Sequence, residues 1–219
     1  LLKKKNFIFK KIDLINQKKL DLIIRKFNPE TIYHLAGQPG VLYSFKNPNS
    51  YKRNNITATE ILCKISKKYK IKNFIFGSSS SIYGDHKKFP IKENFKKKPK
   101  NYYAITKYKC EKIVEKNFKV SPVNYKIFRF FTVYGPYGRP DMAYFSFTKK
   151  ILAGKTIKIF NKGKMYRDYT YIDDIIDGIY RLLNKSPSLN SKKKFKNDSL
   201  SPVAPFRILN IGNTKKYIF

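Results

Sequence analysis

The 219-residue chain has no tryptophan, two cysteines, two histidines and only 14 acidic residues. Cys63 and Cys110, 47 positions apart in the sequence, match neither a disulfide framework nor a CxxC metal or redox motif. With His34 and His86 as the sole imidazoles, a histidine-rich metal site is excluded and no metal is expected. No apolar run approaches the roughly 18 residues of a membrane helix. The N-terminal LLKKKNFIFK carries a basic cluster, but neither the small-residue cleavage site nor the apolar stretch of a signal peptide. No GxGxxG or GxxGxxG occurs, so the glycine loop that cradles a dinucleotide pyrophosphate is absent from this sequence. What is present is an apolar fraction of 42%, too high for a disordered polycation and enough for a real core. These features describe a soluble, cytoplasmic, globular protein with no membrane partner.

The formal net charge is +34, carried by 41 lysines and seven arginines. The lysines are spread over nearly every segment, beside abundant Asn, Ile, Phe and Tyr, a mixture that A/T-rich codons produce. A reader of base edges would use arginine and gather its charge into one stripe. A scattered lysine surface binds polyanions loosely and releases them in salt. No specific nucleic-acid partner is expected.

Short apolar runs alternate with helical stretches. Strands are predicted at 6–12, 31–36, 73–79 and 124–131, with helices at 16–27, 49–69 and 103–118 between them. This alternation argues an α/β fold, a doubly wound parallel sheet covered on both faces. After Gly135 come a helix at 142–153, a short strand at 156–160, a helix at 172–184, a polar loop at 186–206 and a strand at 207–213. The boundaries read as a Rossmann-like domain over 1–135, lacking its first βαβ unit, and a small partial C-terminal lobe over 136–219. Leu1 is not Met and the final KKYIF leads to no further element, so the chain reads as truncated at both ends.

Ser78, Ser79, Ser80 and Ser81 stand at a strand end, followed by Ile82, Tyr83 and Gly84, and Tyr103 opens a helix with Lys107 four residues on. Ligands of doubly wound sheets bind outside the carboxyl ends of the strands. At a spacing of four, Tyr103 and Lys107 share a helix face, and the ammonium is expected to lower the phenol pKa toward neutrality. Such a pair can take a proton from a sugar hydroxyl while a nicotinamide takes the hydride. The YxxxK spacing alone is weak, because chance yields about three such pairs at this composition, and Tyr83–Lys87 and Tyr108–Lys112 also match. Only Tyr103 begins a helix after a serine-rich strand end.

HLAGQPGV (34–41), SSSSIYG (78–84), YAITK (103–107), RFFTVYGPYGRPDMA (129–143) and YRDYTYIDDI (166–175) resemble the extended short-chain dehydrogenases of the nucleotide-sugar epimerase group. The match is nearest to the UDP-glucuronate 4-epimerase branch and runs from Asp13 to Asn213. The resemblance implies Tyr103, Lys107 and Ser79 as catalytic residues and NAD as cofactor. It implies cofactor contacts by Asp13, Leu14, Leu35, Ala36, Gly37, Gln38, Asn54 and Phe131, together with Tyr103 and Lys107. It places the UDP-sugar substrate against Thr132, Arg139 and Arg167. It also implies a homodimer paired through the helices that flank the tyrosine. Each residue has a plainer alternative: Asp13 as a helix cap, Gly37 as a turn, His34 as a packed strand residue, Phe131 as core, Asp173 and Asp174 as caps of the last helix. Arginine is scarce here, which makes Arg139 and Arg167 stand out as bidentate partners for phosphate or carboxylate.

Related dehydratases carry an Asp-Glu pair, and decarboxylases a Glu, where this chain has Ser80 and Ser81. Neither serine can serve as acid or base at neutral pH, whereas epimerisation needs no second acid or base. Ser80, Ser81 and Thr132 could instead hold a sugar carboxylate by neutral hydrogen bonds. The reading is a 4-epimerase taking UDP-glucuronate to UDP-galacturonate; UDP-glucose or another UDP-hexose, and an inactive remnant, stay open. Leu42 replaces the arginine usual in the group after the AGV-like turn.

Overall fold

The computed structural model describes residues 5–159, 161–164, 166–183, 185, 199, 205–213 and 217–218. Its centre is a sheet of four parallel strands in the order β1-β2-β3-β7: β1 Thr31–His34, β2 Asn73–Ser79, β3 Asn124–Phe130 and β7 Phe206–Ile211. The fold is α/β and Rossmann-like. Helix α1 (Gln17–Phe27) leads into β1. Helices α2 (Val41–Lys46), α3 (Pro48–Tyr51) and α4 (Ala58–Lys68) lie between β1 and β2, and α5 (Tyr102–Phe118) lies between β2 and β3.

The helix ends follow local chemistry. Asn16 caps α1, its Oδ1 accepting from the Lys19 amide at 3.1 Å, and Asn28 ends it at φ 40°. Asn101 caps α5, its Oδ1 accepting from the Ala104 amide at 2.9 Å. That cap sets the first turn of α5 at Tyr102 and Tyr103. Leu20 and Ile24 of α1, Leu62, Cys63 and Ile65 of α4, and Cys110, Val114 and Phe118 of α5 cover one face of the sheet. They meet Ile32, Phe74, Phe76, Tyr125, Ile127, Phe206 and Ile208 there in one core. Phe118 sits at its middle, fully buried, with ring centroids of Phe74 at 4.9 Å and Tyr125 at 5.7 Å.

Several expectations are corrected. Residues 7–12 form no strand, because an extended segment needs a neighbour for its N–H and C=O groups and no described strand lies beside it. Residues 156–159 likewise stay irregular. The single helix expected over 49–69 is interrupted by a π-helical segment, Lys52–Thr57, and preceded by the unforeseen α2. Four short strands were also unforeseen: β4 (Thr132–Tyr134), parallel to β6 (Tyr169–Tyr171), and β5 (Tyr166–Arg167), antiparallel to β8 (Tyr217–Ile218). Helices α6 (Ala143–Leu152) and α7 (Ile172–Leu183) fall where expected, with Asp173 and Asp174 in the first turn of α7. Strand β7, which follows the division read at residue 135, pairs with β3 in the main sheet. Most of the loop expected at 186–206 lies outside the described residues.

Replacing Phe118 by Ala empties a site closed on all sides and is expected to lower unfolding free energy by about 3–5 kcal/mol in urea titration. A loss below about 1 kcal/mol would show that this core collapses around the gap.

Candidate active site

The C-terminal end of β2 runs directly into a 3-10 turn, Ser80–Tyr83. Ser79 caps that turn, its Oγ accepting from the Ser81 amide at 3.2 Å and lying 3.1 Å from Ser81 Oγ. Gly84 ends the turn at φ +65°, where a Cβ would stand 2.1 Å from the Lys98 carbonyl oxygen, so no side chain fits. Ser79, Ser80 and Ser81 are half-buried. Ser79 is the register partner of Phe130, so Phe131 and Thr132 leave β3 beside it. Phe131 donates its amide to the Ile211 carbonyl and Thr132 donates its own to the Asp168 carbonyl, which fixes both at the mouth of the sheet.

Helix α5 brings Tyr103 and Lys107 to this end on one face. Tyr103 stands near enough to Ser79 for that side chain to act on its phenol, and its ring meets that of Tyr51 at 6.3 Å. Lys107 is buried, its Nζ donating to the Gly77 carbonyl at 2.7 Å and standing 4.9 Å from the centre of the Phe76 ring. The expected lowering of the Tyr103 pKa is not what the geometry produces. Burial pushes the phenol up, opposed by the Ser79 hydrogen bond and by the Arg139 charge. Burial also depresses the Lys107 ammonium, opposed by Cys110 and Glu111.

Leu35, Ala36 and Gly37 present an exposed backbone after β1. A Cβ on Gly37 would stand 2.8 Å from Asn55 Oδ1 and 3.8 Å from Lys107 Nζ, so the loop can press against both only as glycine. Asn55, which sequence reasoning passed over, is the buried residue here. Its Oδ1 accepts from the Gln38 amide at 2.6 Å, and its Nδ2 donates to the Gln38 carbonyl at 3.2 Å and to Thr106 Oγ1 at 3.0 Å. Asn54, the residue expected near the cofactor, instead donates to Ser50 Oγ at 3.1 Å. The π-helical segment explains the shift, since the wider turn changes which side chain faces inward.

Asp13 is not the cap of α1. Its Oδ2 pairs with Arg53 at 2.5 Å and its Oδ1 accepts from the Ile15 amide, two contacts that hold its carboxyl below the usual range. Leu14 packs half-buried against the core. Arg139 pairs with Asp141 and lies on the Tyr103 side, its Nη2 3.5 Å from where a Gly40 Cβ would be. Arg167 is exposed on β5, donating to the Tyr166 carbonyl at 3.0 Å; no described contact ties it to the Tyr103 cluster. His34 is packed, its Nε2 2.8 Å from Thr59 Oγ1.

With the geometry in hand, comparison with known proteins is decisive on one point. The model of the NAD dependent epimerase/dehydratase family matches residues 2–196. The chain belongs to this family. It is 40% identical over 213 residues to Protein CapI of Staphylococcus aureus, covering 96% of this chain and 64% of that protein. It is 40% identical over 196 residues to a probable UDP-glucuronate 4-epimerase of Rhizobium meliloti, covering 88% and 58%. The UDP-glucuronic acid 4-epimerase of Bacillus cereus, solved in complex with UDP-glucuronic acid and NAD, superposes with a TM-score of 0.84 at 32% identity, over 99% of this chain and 63% of that one. The chain thus spans less than two thirds of the length of each of these relatives. Among the described residues no helix is long and apolar enough to cross a membrane.

Burial lowers the His34 pKa from 6.5 to about 3, so the imidazole is neutral in the fold. The unfolded chain binds this proton first, so the stabilising contribution is full above pH 6.5 and fades as pH falls toward about 3. The urea midpoint is therefore expected to drop between pH 7 and 5, where carboxylates are still ionised, and to flatten in His34→Asn. A wild-type midpoint constant over that interval would contradict the neutral imidazole.

Proposed function

We propose that the protein is a nucleotide-sugar 4-epimerase that interconverts UDP-glucuronate and UDP-galacturonate with NAD. The observation that carries this reading is the placement of Tyr103 beside Ser79 at the end of β2, on one helix face with Lys107. The residues present fit the nicotinamide half of a dinucleotide. Leu35–Gly37 offer an open backbone at the end of β1, and Gly37 keeps the space that a Cβ would fill. Leu35, Ala36, Gly37 and Gln38 would line the ribose and pyrophosphate, with Asn55 rather than Asn54 holding that loop. Asp13 and Leu14 would take the adenine, and the Phe131 backbone would flank the nicotinamide. Bound there, NAD+ would supply the hydride acceptor and return the same hydride.

Tyr103 takes the C4 hydroxyl proton as that oxygen becomes a carbonyl, and gives it back after the sugar has presented its other face. Ser79 hydrogen-bonds the C4 oxygen, and Lys107 supplies the nearby positive charge. Ser80, Ser81 and Thr132 would hold the sugar carboxylate through neutral hydroxyls, and Arg139 and Arg167 the diphosphate. The absence of any carboxylate at positions 80 and 81 supports epimerisation over elimination, which needs a second acid and base.

The test uses the protein expressed from its complete reading frame, with UDP-glucuronate and NAD+, followed by proton NMR for C4 inversion. Wild type is expected to reach an equilibrium mixture. Tyr103→Phe is expected to lose about 10²–10⁴ in kcat while still binding the UDP-sugar. Inversion of UDP-glucose but not UDP-glucuronate would correct the substrate, and full activity in Tyr103→Phe would sink the assignment of the base.

A further inference from the structure

At the C-terminal end of the main sheet, Ser78, Arg129 and Asn210 are register partners on three adjacent strands. Glu111 of α5 meets this row. Its carboxylate accepts from Arg129 Nε at 2.9 Å, from Arg129 Nη2 at 2.7 Å and from Ser78 Oγ at 2.5 Å. Both side chains of the ion pair are 1% exposed. Arg129 Nη1 donates to the Tyr83 hydroxyl at 2.8 Å and to the Glu93 carbonyl at 2.9 Å. Tyr83 in turn donates to Asn210 Oδ1 at 2.6 Å. Asn210 is anchored by its amide to Glu93 Oε1 and by its Nδ2 to the Ile91 carbonyl, both at 2.8 Å.

An ion pair buried this deeply is a poor source of stability, because desolvation offsets its attraction and an apolar pair of similar volume packs as well. A two-point guanidinium–carboxylate contact does impose one distance and one orientation. The parts it joins are those on which the proposed reaction rests. Glu111 lies one helical turn past Lys107, Ser78 precedes Ser79, and Tyr83 closes the turn that carries Ser80 and Ser81.

We propose that the Glu111–Arg129 pair, bridged by Ser78, is the positioning device of this site: it sets the height of α5 against the ends of β2 and β3 and so places Tyr103 and Lys107 opposite Ser79. The inference rests on the epimerase reading above. Glu111, Arg129 and Ser78 are positioning residues that act through the strand end and the helix.

The experiment compares Ser78→Ala, the double variant Glu111→Leu/Arg129→Met and Tyr103→Phe with wild type, each expressed from the complete reading frame. Cooperative melting reports folding, and kcat and KM are measured for UDP-glucuronate. Both positioning variants are expected to fold with KM within about twofold of wild type. Their kcat should fall about tenfold in Ser78→Ala and about 100-fold in the double variant, the scale of a small misplacement of reacting groups. A merely structural role would lower the melting temperature and leave kcat per folded molecule unchanged. Wild-type kcat in either folded variant overturns the proposal. Ser78→Ala, which removes one hydroxyl and keeps the ion pair, decides if the double variant does not fold. Independently of turnover, the Ser81 amide should exchange with solvent about tenfold faster in Ser78→Ala, and unchanged exchange also overturns it. Activity retained in Tyr103→Phe would mean that the reaction was misread. An inactive Tyr103→Phe beside a fully active double variant would leave the reaction standing and remove only the positioning role.

Discussion

Seven consecutive parallel pairings between β2 and β3, from Asn73–Asn124 to Ser79–Phe130, are the constraint on which the rest of the molecule depends. A one-residue slip would turn every side chain of a strand to the other face. In the observed register, Phe74, Phe76, Tyr125 and Ile127 all point to the face covered by α1, α4 and α5. The same register sets Ser78 beside Arg129 and Ser79 beside Phe130. Core packing and site geometry are therefore not separate achievements of this sequence. The alternation that buries the phenylalanines also delivers the polar row and the edge of the candidate site at the strand ends.

Charge is distributed by the same logic. The large surplus of lysine is solvated and contributes self-repulsion rather than architecture. Acidic residues at the surface, such as Asp21 with Lys68 and Glu30 with Lys72, form solvent-screened pairs that contribute little to stability. Glu111 is different, being enclosed with Arg129 and hydrogen-bonded on both oxygens. Lys107 differs from the solvated lysines for the same reason, since the Gly77 carbonyl and the Phe76 ring receive its ammonium in place of water.

Much of the fold was legible because its signals are local. Strand β2 matches its expected span residue for residue, and α1, α5 and α7 fall within a residue or two of theirs, because apolar periodicity and Asn caps are written into short windows. The candidate site was legible in outline for another reason: Ser79, Tyr103 and Lys107 are spaced as a strand end and a helix start require. What stayed hidden depends on partners distant in the chain. Residues 7–12 have strand composition but, among the described residues, no neighbour to complete a ladder. Asn55, which holds the Gln38 loop, was passed over because a π-helical turn cannot be read from side-chain period. Arg129 was given no role from the sequence, because its meaning required Glu111 to be seen across from it.

The sequence by itself determined the alternation of strands and helices, the capped start of α5 and the chemical identity of the groups at the strand ends. Those follow from propensities and spacings within a few residues. The tertiary structure alone decided which polar groups are buried together, which way Lys107 points and whether the Tyr103 phenol rises or falls. These depend on desolvation and on charges brought close from residues 18 to 127 positions apart, as in Glu111 with Arg129 and Tyr83 with Asn210. Proximity of that kind exists only once the sheet has closed its register.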